Sequence, residues 1–258
     1  MRYSFSANTG FLWKDRPFLE RIARAGAAGF HAVEFHDEAQ RETLSDVKAA
    51  LAEAGLPLLG LNTRMGDTAG CAAIPGEEDR ARGDFAKALD AARTLGGTAI
   101  HVIGGRLDAF PGVAREAAME TYAAALKAFA LEAERHGLTL LVEPICPQAM
   151  PSFIVPDMAT GAALLERVGA PNVKLMFDCF HVQRATGDLV ETFRAHAHRI
   201  GHVQIAGGLT RAEPDQGEID YGFVLPALRE AGYEGAFGCE YVAKGLVEEG
   251  LGWRDRFV

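Results

Sequence analysis

Eight short apolar runs recur along the chain at intervals of roughly 30 residues, with amphipathic stretches between them. They lie near 3–7, 32–35, 57–62, 98–103, 138–143, 173–177, 200–205 and 236–240. Most are bounded by Gly, Pro or polar residues, the pattern of strands buried on both faces. The stretches between them read as helices. Asp15-Arg-Pro17 looks like a cap and an early proline opening a helix towards Gly26. The segment Ser45 to Gly55 ends on a helix-stopping glycine. Residues 78–95 and 112–136 form two longer helices, the second closed by Gly137, and 157–168, 187–198 and 220–232 supply the later ones.

Strand and helix in alternation give a parallel sheet with βαβ crossovers. At 258 residues a closed (β/α)8 TIM barrel fits best, as a single domain over 1–258. A doubly wound open sheet is the alternative, weakened by the missing GxGxxG after the first run. The Gly104-Gly105 pair alone is a weak phosphate signal. The connections 63–77 and 206–219 are punctuated by glycine and proline, and both fall on the face where a barrel carries its site. They are expected to act as lids.

Composition narrows the function classes. A hydrophobic content of 48% supports one large core. The net charge of −9, with no run of lysines or arginines, argues against nucleic acid and against an anionic membrane surface. The start, Met1-Arg-Tyr-Ser-Phe-Ser-Ala, is unlike a signal peptide, and no apolar run reaches the roughly 18 residues of a membrane span. A cytoplasmic protein is expected, with Cys71, Cys146, Cys179 and Cys239 as reduced thiols, since none shows CxxC spacing.

Four runs end in a polar, ligand-type residue: Glu143, Asp178, Gln204 and Glu240, separated by 35, 26 and 36 residues. Each gap is about one βα unit, so a barrel sets all four on one rim. Three carboxylates and an amide oxygen suit Mg²⁺ or Mn²⁺, and without a cation they would repel and take up protons. The plainer alternative is that each caps a strand end or pairs with a basic neighbour. His181 lies three residues beyond Asp178 and can meet a substrate oxygen or orient a ligand. His101 is a substrate contact if the register turns it inwards, and His202, two before Gln204, shares that residue's face as a layer beneath the site. Arg211, in a polar loop, can fix a substrate carboxylate through its planar fork, held in turn by Glu213 or Glu218; a solvated loop is the alternative. The cysteines beside the ligand candidates raise a zinc or thiol-nucleophile reading. Strand alternation turns Cys179 and Cys239 away from it, towards packing.

Val142-Glu-Pro-Ile, Phe177-Asp-Cys-Phe-His-Val-Gln, Gly201-His-Val-Gln-Ile-Ala and Gly238-Cys-Glu-Tyr resemble the hydroxypyruvate isomerase family of the xylose-isomerase-like TIM barrels. The likeness runs from Phe5-Ser-Ala-Asn8 to Glu249-Gly-Leu-Gly-Trp253 and includes Arg211, Glu213-Pro214, Gly217-Glu218 and Tyr221. It implies one divalent metal, Mg²⁺ or Mn²⁺, held by Glu143, Asp178, Gln204 and Glu240. It further implies Glu143 and Glu240 as the acid/base pair, with His181 and Arg211 on the substrate. Ala206-Gly207, Glu213-Pro-Asp215 and Lys244-Gly-Leu246 look closer to the 2-oxo-tetronate isomerase branch. Cys146, Val242 and a short 63–77 loop depart from the family pattern, which bears on the substrate. The expectation is an aldose–ketose isomerase of a small hydroxy-carbonyl acid in carbohydrate metabolism. Alternatives are a ketose 3-epimerase or sugar-acid dehydratase on the same barrel, or a non-catalytic sugar-acid binding protein. The oligomeric state stays open.

Overall fold

In the computed structural model, which describes residues 3–257, every apolar run becomes a strand. Positions 1, 2 and 258 of the expected domain, and with them the first two residues of the Met1-Arg-Tyr start, lie outside the described residues. The strands are β1 (Phe5–Asn8), β2 (Ala32–Phe35), β3 (Leu58–Asn62), β4 (Ala99–His101), β5 (Thr139–Val142), β6 (Val173–Asp178), β7 (Ile200–Ile205) and β8 (Phe237–Cys239). All pair in parallel in chain order, and β8 returns to β1, so the sheet is a closed barrel rather than an open one.

Outside it lie α1 (Phe18–Ala27), α2 (Leu44–Ala54), α3 (Glu78–Leu95), α4 (Arg115–Glu134), α5 (Met158–Val168), α6 (Cys179–Ala185), α7 (Leu189–His196) and α8 (Tyr221–Glu230). The first shows why such segments are helical and where they dock. Phe18, Ile22 and Ala25 recur on one face and are buried, and Phe18 meets Phe35 of β2 edge-on at 4.8 Å between centroids. Its start differs from expectation. Pro17 is the N-cap, with no side-chain cap, and Asp15 pairs with Arg16 at 3.1 Å instead. Gly55 takes φ +66° and stops α2, a conformation that a Cβ would disfavour.

Two elements depart from the periodic pattern for physical reasons. The expected helix 187–198 is cut to Leu189–His196, followed by a 3₁₀ turn at Ala197–Arg199. Ahead of it stands α6, which begins as soon as β6 ends because Asp178 Oδ1 accepts from the Phe180 N–H at 2.8 Å and caps it. The connection 63–77, expected as a lid, is stitched to the segment after β4. The Ala72 and Ala73 N–H groups donate to the Ile103 and Gly104 carbonyls at 3.3 and 2.9 Å, and Gly70 bridges to Gly104. Gly70 is needed there, since a Cβ would strike the Ile103 carbonyl. The chain closes with the 3₁₀ segment Val247–Arg256, whose Trp253 packs edge-on against Phe5 at 5.1 Å.

Candidate active site

The barrel brings all four strand-end residues to one rim. Glu143 follows β5, Asp178 ends β6, Gln204 pairs in register with Asp178, and Glu240 follows β8. All four are buried. Glu143, Gln204 and Glu240 line a cavity of about 240 Å³, together with His101, His181 and Arg211. His101 therefore does turn inwards, with Nδ1 3.8 Å from Glu143 Oε2. Asp178 lies behind this wall, with Oδ1 committed to the α6 cap and Oδ2 turned to Arg211 and His181. The plainer alternative thus holds for Asp178 through both oxygens, one capping α6 and one paired with Arg211, and for Glu240 through its own pair with Arg211.

Arg211 is held differently from expectation. Its Nη2 donates to Asp178 Oδ2 at 2.7 Å and to Glu240 Oε1 at 2.6 Å. Glu213 instead accepts from the Lys244 N–H, and Glu218 from Gln183, because the loop folds back over the end of β8. The guanidinium lies over the rings of Phe11 and Phe180, at 4.6 and 5.1 Å. Its backbone takes φ +55°, a region costing a residue other than glycine of order 1–3 kcal/mol. Two backbone bonds fix it: the Arg211 N–H donates to Gly207 and the Val242 N–H to Arg211. Burial disfavours its charge, but Asp178, Glu240 and Glu143 outweigh that and keep it a cation.

The carboxylates facing the cavity are reluctant to ionise. Burial, then the charges of Glu240 and Asp178, pushes the Glu143 carboxyl well above the usual carboxylate range. Burial raises Glu240 while Arg211 pulls it down, and the balance is a pKa of about 7. Its Oε2 accepts from Asn8 Nδ2 at 2.7 Å. The imidazoles are kept neutral. Burial lowers His181 and His101 to about 3, and burial with the Arg211 charge lowers His36, also in the cavity wall, to about 4. His181 Nε2 stands 3.5 Å from Glu143 Oε1 and 3.7 Å from Asp178 Oδ2, while its Nδ1 meets Cys146 Sγ at 3.3 Å. Cys146 therefore touches the site. Cys179 and Cys239 are buried with thiols pushed up by burial, in line with a packing role.

Beneath this rim lies a second layer. Glu34 of β2 reaches across the barrel axis, accepting from Ser6 Oγ and pairing with His202 Nε2 at 3.0 Å through Oε1. Its Oε2 accepts from Gln204 Nε2 at 2.9 Å. Burial alone would raise Glu34, but the His202 charge and these hydrogen bonds outweigh it and hold the carboxyl below its ordinary value. His202 is correspondingly raised by Glu34 against its own burial. A further cavity of about 190 Å³ opens along the axis below, between Glu34, His202, Gly60, Ala99 and Gly201.

The donor set fits a cation. Ligand-type atoms of Glu143, Asp178 and His181 lie within 4.8 Å of one another, a cluster that can hold a metal ion. Among the described residues, Glu143 Oε1 and Gln204 Oε1 are buried acceptors without a hydrogen-bond partner. A buried acceptor calls for a partner, which a cation or an ordered water can supply. Sequence reasoning passed over Asn8, Glu34 and His36. Glu34 carried the same signal as Glu143, a carboxylate in an apolar run, but it sits within Ala32-Val-Glu-Phe35 rather than at its end.

The family model described as the Xylose isomerase-like TIM barrel matches residues 22–257. The chain belongs to this family. It is similar to the 2-oxo-tetronate isomerase of Cupriavidus necator, 38% identical over 96% of both chains. It is also similar to the hydroxypyruvate isomerase of Escherichia coli, 34% identical over 98% of both. A crystal structure from Brucella melitensis described as an AP endonuclease, family 2, superposes with a TM-score of 0.94 at 33% identity, covering 99% of each chain. With relatives of this kind matched end to end, the chain is an isomerase of this barrel family. No helix among the described residues is long and apolar enough to cross a membrane.

Proposed function

We propose that the chain is a metal-dependent aldose–ketose isomerase of a small hydroxy-carbonyl acid, either hydroxypyruvate with tartronate semialdehyde or a 2-oxo-tetronate. The observation that carries this reading is the pair Glu143 and Glu240. Both are buried at one small cavity, both have raised pKa values, and the Arg211 cation stands beside them. A carboxyl tuned to about 7 is suited to take and return protons near neutrality. Glu143, Asp178, Gln204 and Glu240 would hold a divalent ion of the Mg²⁺ or Mn²⁺ kind, which when bound polarises the substrate carbonyl and acidifies the adjacent C–H.

One glutamate then removes the proton from the hydroxyl-bearing carbon, and the electron pair moves to form an enediol. The hydroxyl proton passes to the former carbonyl oxygen, the hydroxyl oxygen becomes the new carbonyl, and the other glutamate gives its proton to the former carbonyl carbon. Arg211, whose Nη2 and Nε are held by Asp178 and Glu240, would offer its remaining Nη1 and its charge to the substrate carboxylate, braced by the rings of Phe11 and Phe180. His181 and His101 complete the substrate's polar contacts. With the Cys146 thiol donating to Nδ1, neutral His181 would carry its proton on Nε2 and donate it to a substrate oxygen. The net charge of −9 supports a small acid over a nucleic-acid backbone as substrate. A cytoplasmic location accords with this reading.

The test is proton exchange in D₂O followed by NMR, using metal-loaded protein with hydroxypyruvate or a 2-oxo-tetronate and a chelator-treated control. Metal-dependent deuterium incorporation with one substrate is expected, and it selects the branch. No exchange and no product with either would sink the proposal.

A further inference from the structure

Glu34 takes no part in the proposed proton transfer, yet both of its oxygens are engaged. Oε1 faces Ser6 Oγ and His202 Nε2, and Oε2 accepts from Gln204 Nε2. Resting on the reading of Gln204 as a metal-holding residue, we infer that Glu34 is a positioning residue that sets the direction of the Gln204 amide.

The chemistry of an amide makes this necessary. One end of a glutamine side chain donates and the other accepts, and the two ends are nearly the same shape. Gln204 is 2% exposed and cannot resolve the choice with solvent. Both Glu34 oxygens act as acceptors, Oε1 of the Ser6 hydroxyl and Oε2 of the amide, so the amide turns its NH₂ to Glu34. Its oxygen is then left facing the rim, where it has no hydrogen-bond partner among the described residues.

The barrel is shaped to let this happen. Glu34 comes from β2 and Gln204 from β7, so the carboxylate must cross in front of β1 and β8. At the crossing stands Gly238, in register with Gln204 and Ser6. A Cβ there would collide with Glu34 Oε1 and come within 2.8 Å of His202 Nε2 and 2.9 Å of Gln204 Cγ. Gly238 is therefore the opening through which the amide is set.

The inference makes an unusual substitution informative. In Glu34→Gln the new carbonyl oxygen can still accept from Ser6 and His202, while the new NH₂ points at Gln204. Gln204 must then turn its own oxygen inwards and present NH₂ to the rim. The Ser6 and Gln204 hydrogen bonds survive, the ion pair with His202 becomes a neutral contact, and the polarity at the rim is reversed. The double variant E34Q/Q204E restores an acceptor there, because a carboxylate at position 204 offers an oxygen to both sides.

Mn²⁺ titrated calorimetrically into metal-free protein reads the outcome, with thermal melts of the metal-free forms as the folding control. Gln204→Ala should weaken Mn²⁺ binding. E34Q should keep a cooperative melt, lowered by the loss of the His202 ion pair but less than in Glu34→Ala, and bind roughly 10–100-fold more weakly, the range of loss seen when an outer partner of a ligand is removed. E34Q/Q204E should recover binding, a rescue that a merely structural role for Glu34 does not predict. Unchanged Mn²⁺ affinity in E34Q, alongside a loss in Gln204→Ala, overturns the inference and leaves the metal reading standing. No loss in Gln204→Ala removes Gln204 from the metal set and overturns both. If E34Q does not fold, the double variant decides: folding with Mn²⁺ binding supports the inference, and folding without it refutes it.

Discussion

Glu34 and Glu143 are each 5% exposed in the same barrel, yet they lie on opposite sides of the ordinary carboxylate pKa. Glu34 is surrounded by donors and is held ionised. Glu143 stands near two like charges, Glu240 in the cavity wall and Asp178 behind it, and has an oxygen with no partner among the described residues. Burial is common to both, so burial does not mark the reactive one. What separates them is whether the protein itself satisfies the charge. The lower layer meets its carboxylate from within, by two hydrogen bonds and the ion pair with His202, whereas the rim leaves acceptors open to something that binds.

Substitutions on the two layers should therefore fail in different ways. The largest effect expected is on turnover. Glu240→Gln should lower kcat by at least the 10²–10⁴-fold typical of general acid–base catalysis, with far-UV circular dichroism unchanged. Retained activity would remove Glu240 from the mechanism. Glu34→Ala should instead cost folding stability, by about 3–5 kcal/mol in a denaturant titration, because it strands His202 in the interior. A loss below about 1 kcal/mol would show that the lower layer is not the finished ion pair described here.

At the cavity wall, Arg211→Met should raise KM for the acid roughly 10–100-fold, the worth of a charge-assisted hydrogen bond, with a smaller effect on a neutral hydroxy-ketone. Equal effects on both would contradict its role as the carboxylate fork. Protons should also compete with metal. Glu143 and Glu240 both have raised pKa values in the metal-free protein, Glu240 at about 7, so as pH falls they hold protons that a cation must displace. Mn²⁺ affinity should rise as pH increases through about 7, with proton release that differs between calorimetric buffers. A flat profile across that range would contradict it. The smallest effect is kept for a group with neither role. Tyr233→Phe removes a hydroxyl that donates to Ala236 and accepts from Val203, so about 1 kcal/mol of stability should go while kcat stays unchanged.

The sequence made the rim easier to read than the layer below it. Glu143, Asp178, Gln204 and Glu240 each end an apolar run, and strand ends are where a parallel barrel collects its polar residues. Closure of the barrel and the inward face shared by His202 and Gln204 followed from period and alternation. Glu34 was hidden because its partners Ser6, His202 and Gln204 come from strands distant in sequence, and no local pattern reveals a contact across the axis. Arg211 was found, but its holders were not. Loop residues near in sequence looked like its natural partners, whereas the fold offered carboxylates from two strand ends. The short helix α6 was invisible to periodicity because one side-chain cap starts it.

The cavity wall is also uneven in how tightly it is built. On one side Arg211 is gripped through its side chain by Asp178 and Glu240, and through its backbone by Gly207 and Val242. On the other side the wall is Met65, Ala69, Ala149 and Met150, free of charge and built on small or pliable side chains. Divergence in substrate length can accumulate on that second wall without loosening the grip on the acid. The recognition of a carboxylate and the choice of which carboxylate are thereby separable traits, open to independent selection or redesign.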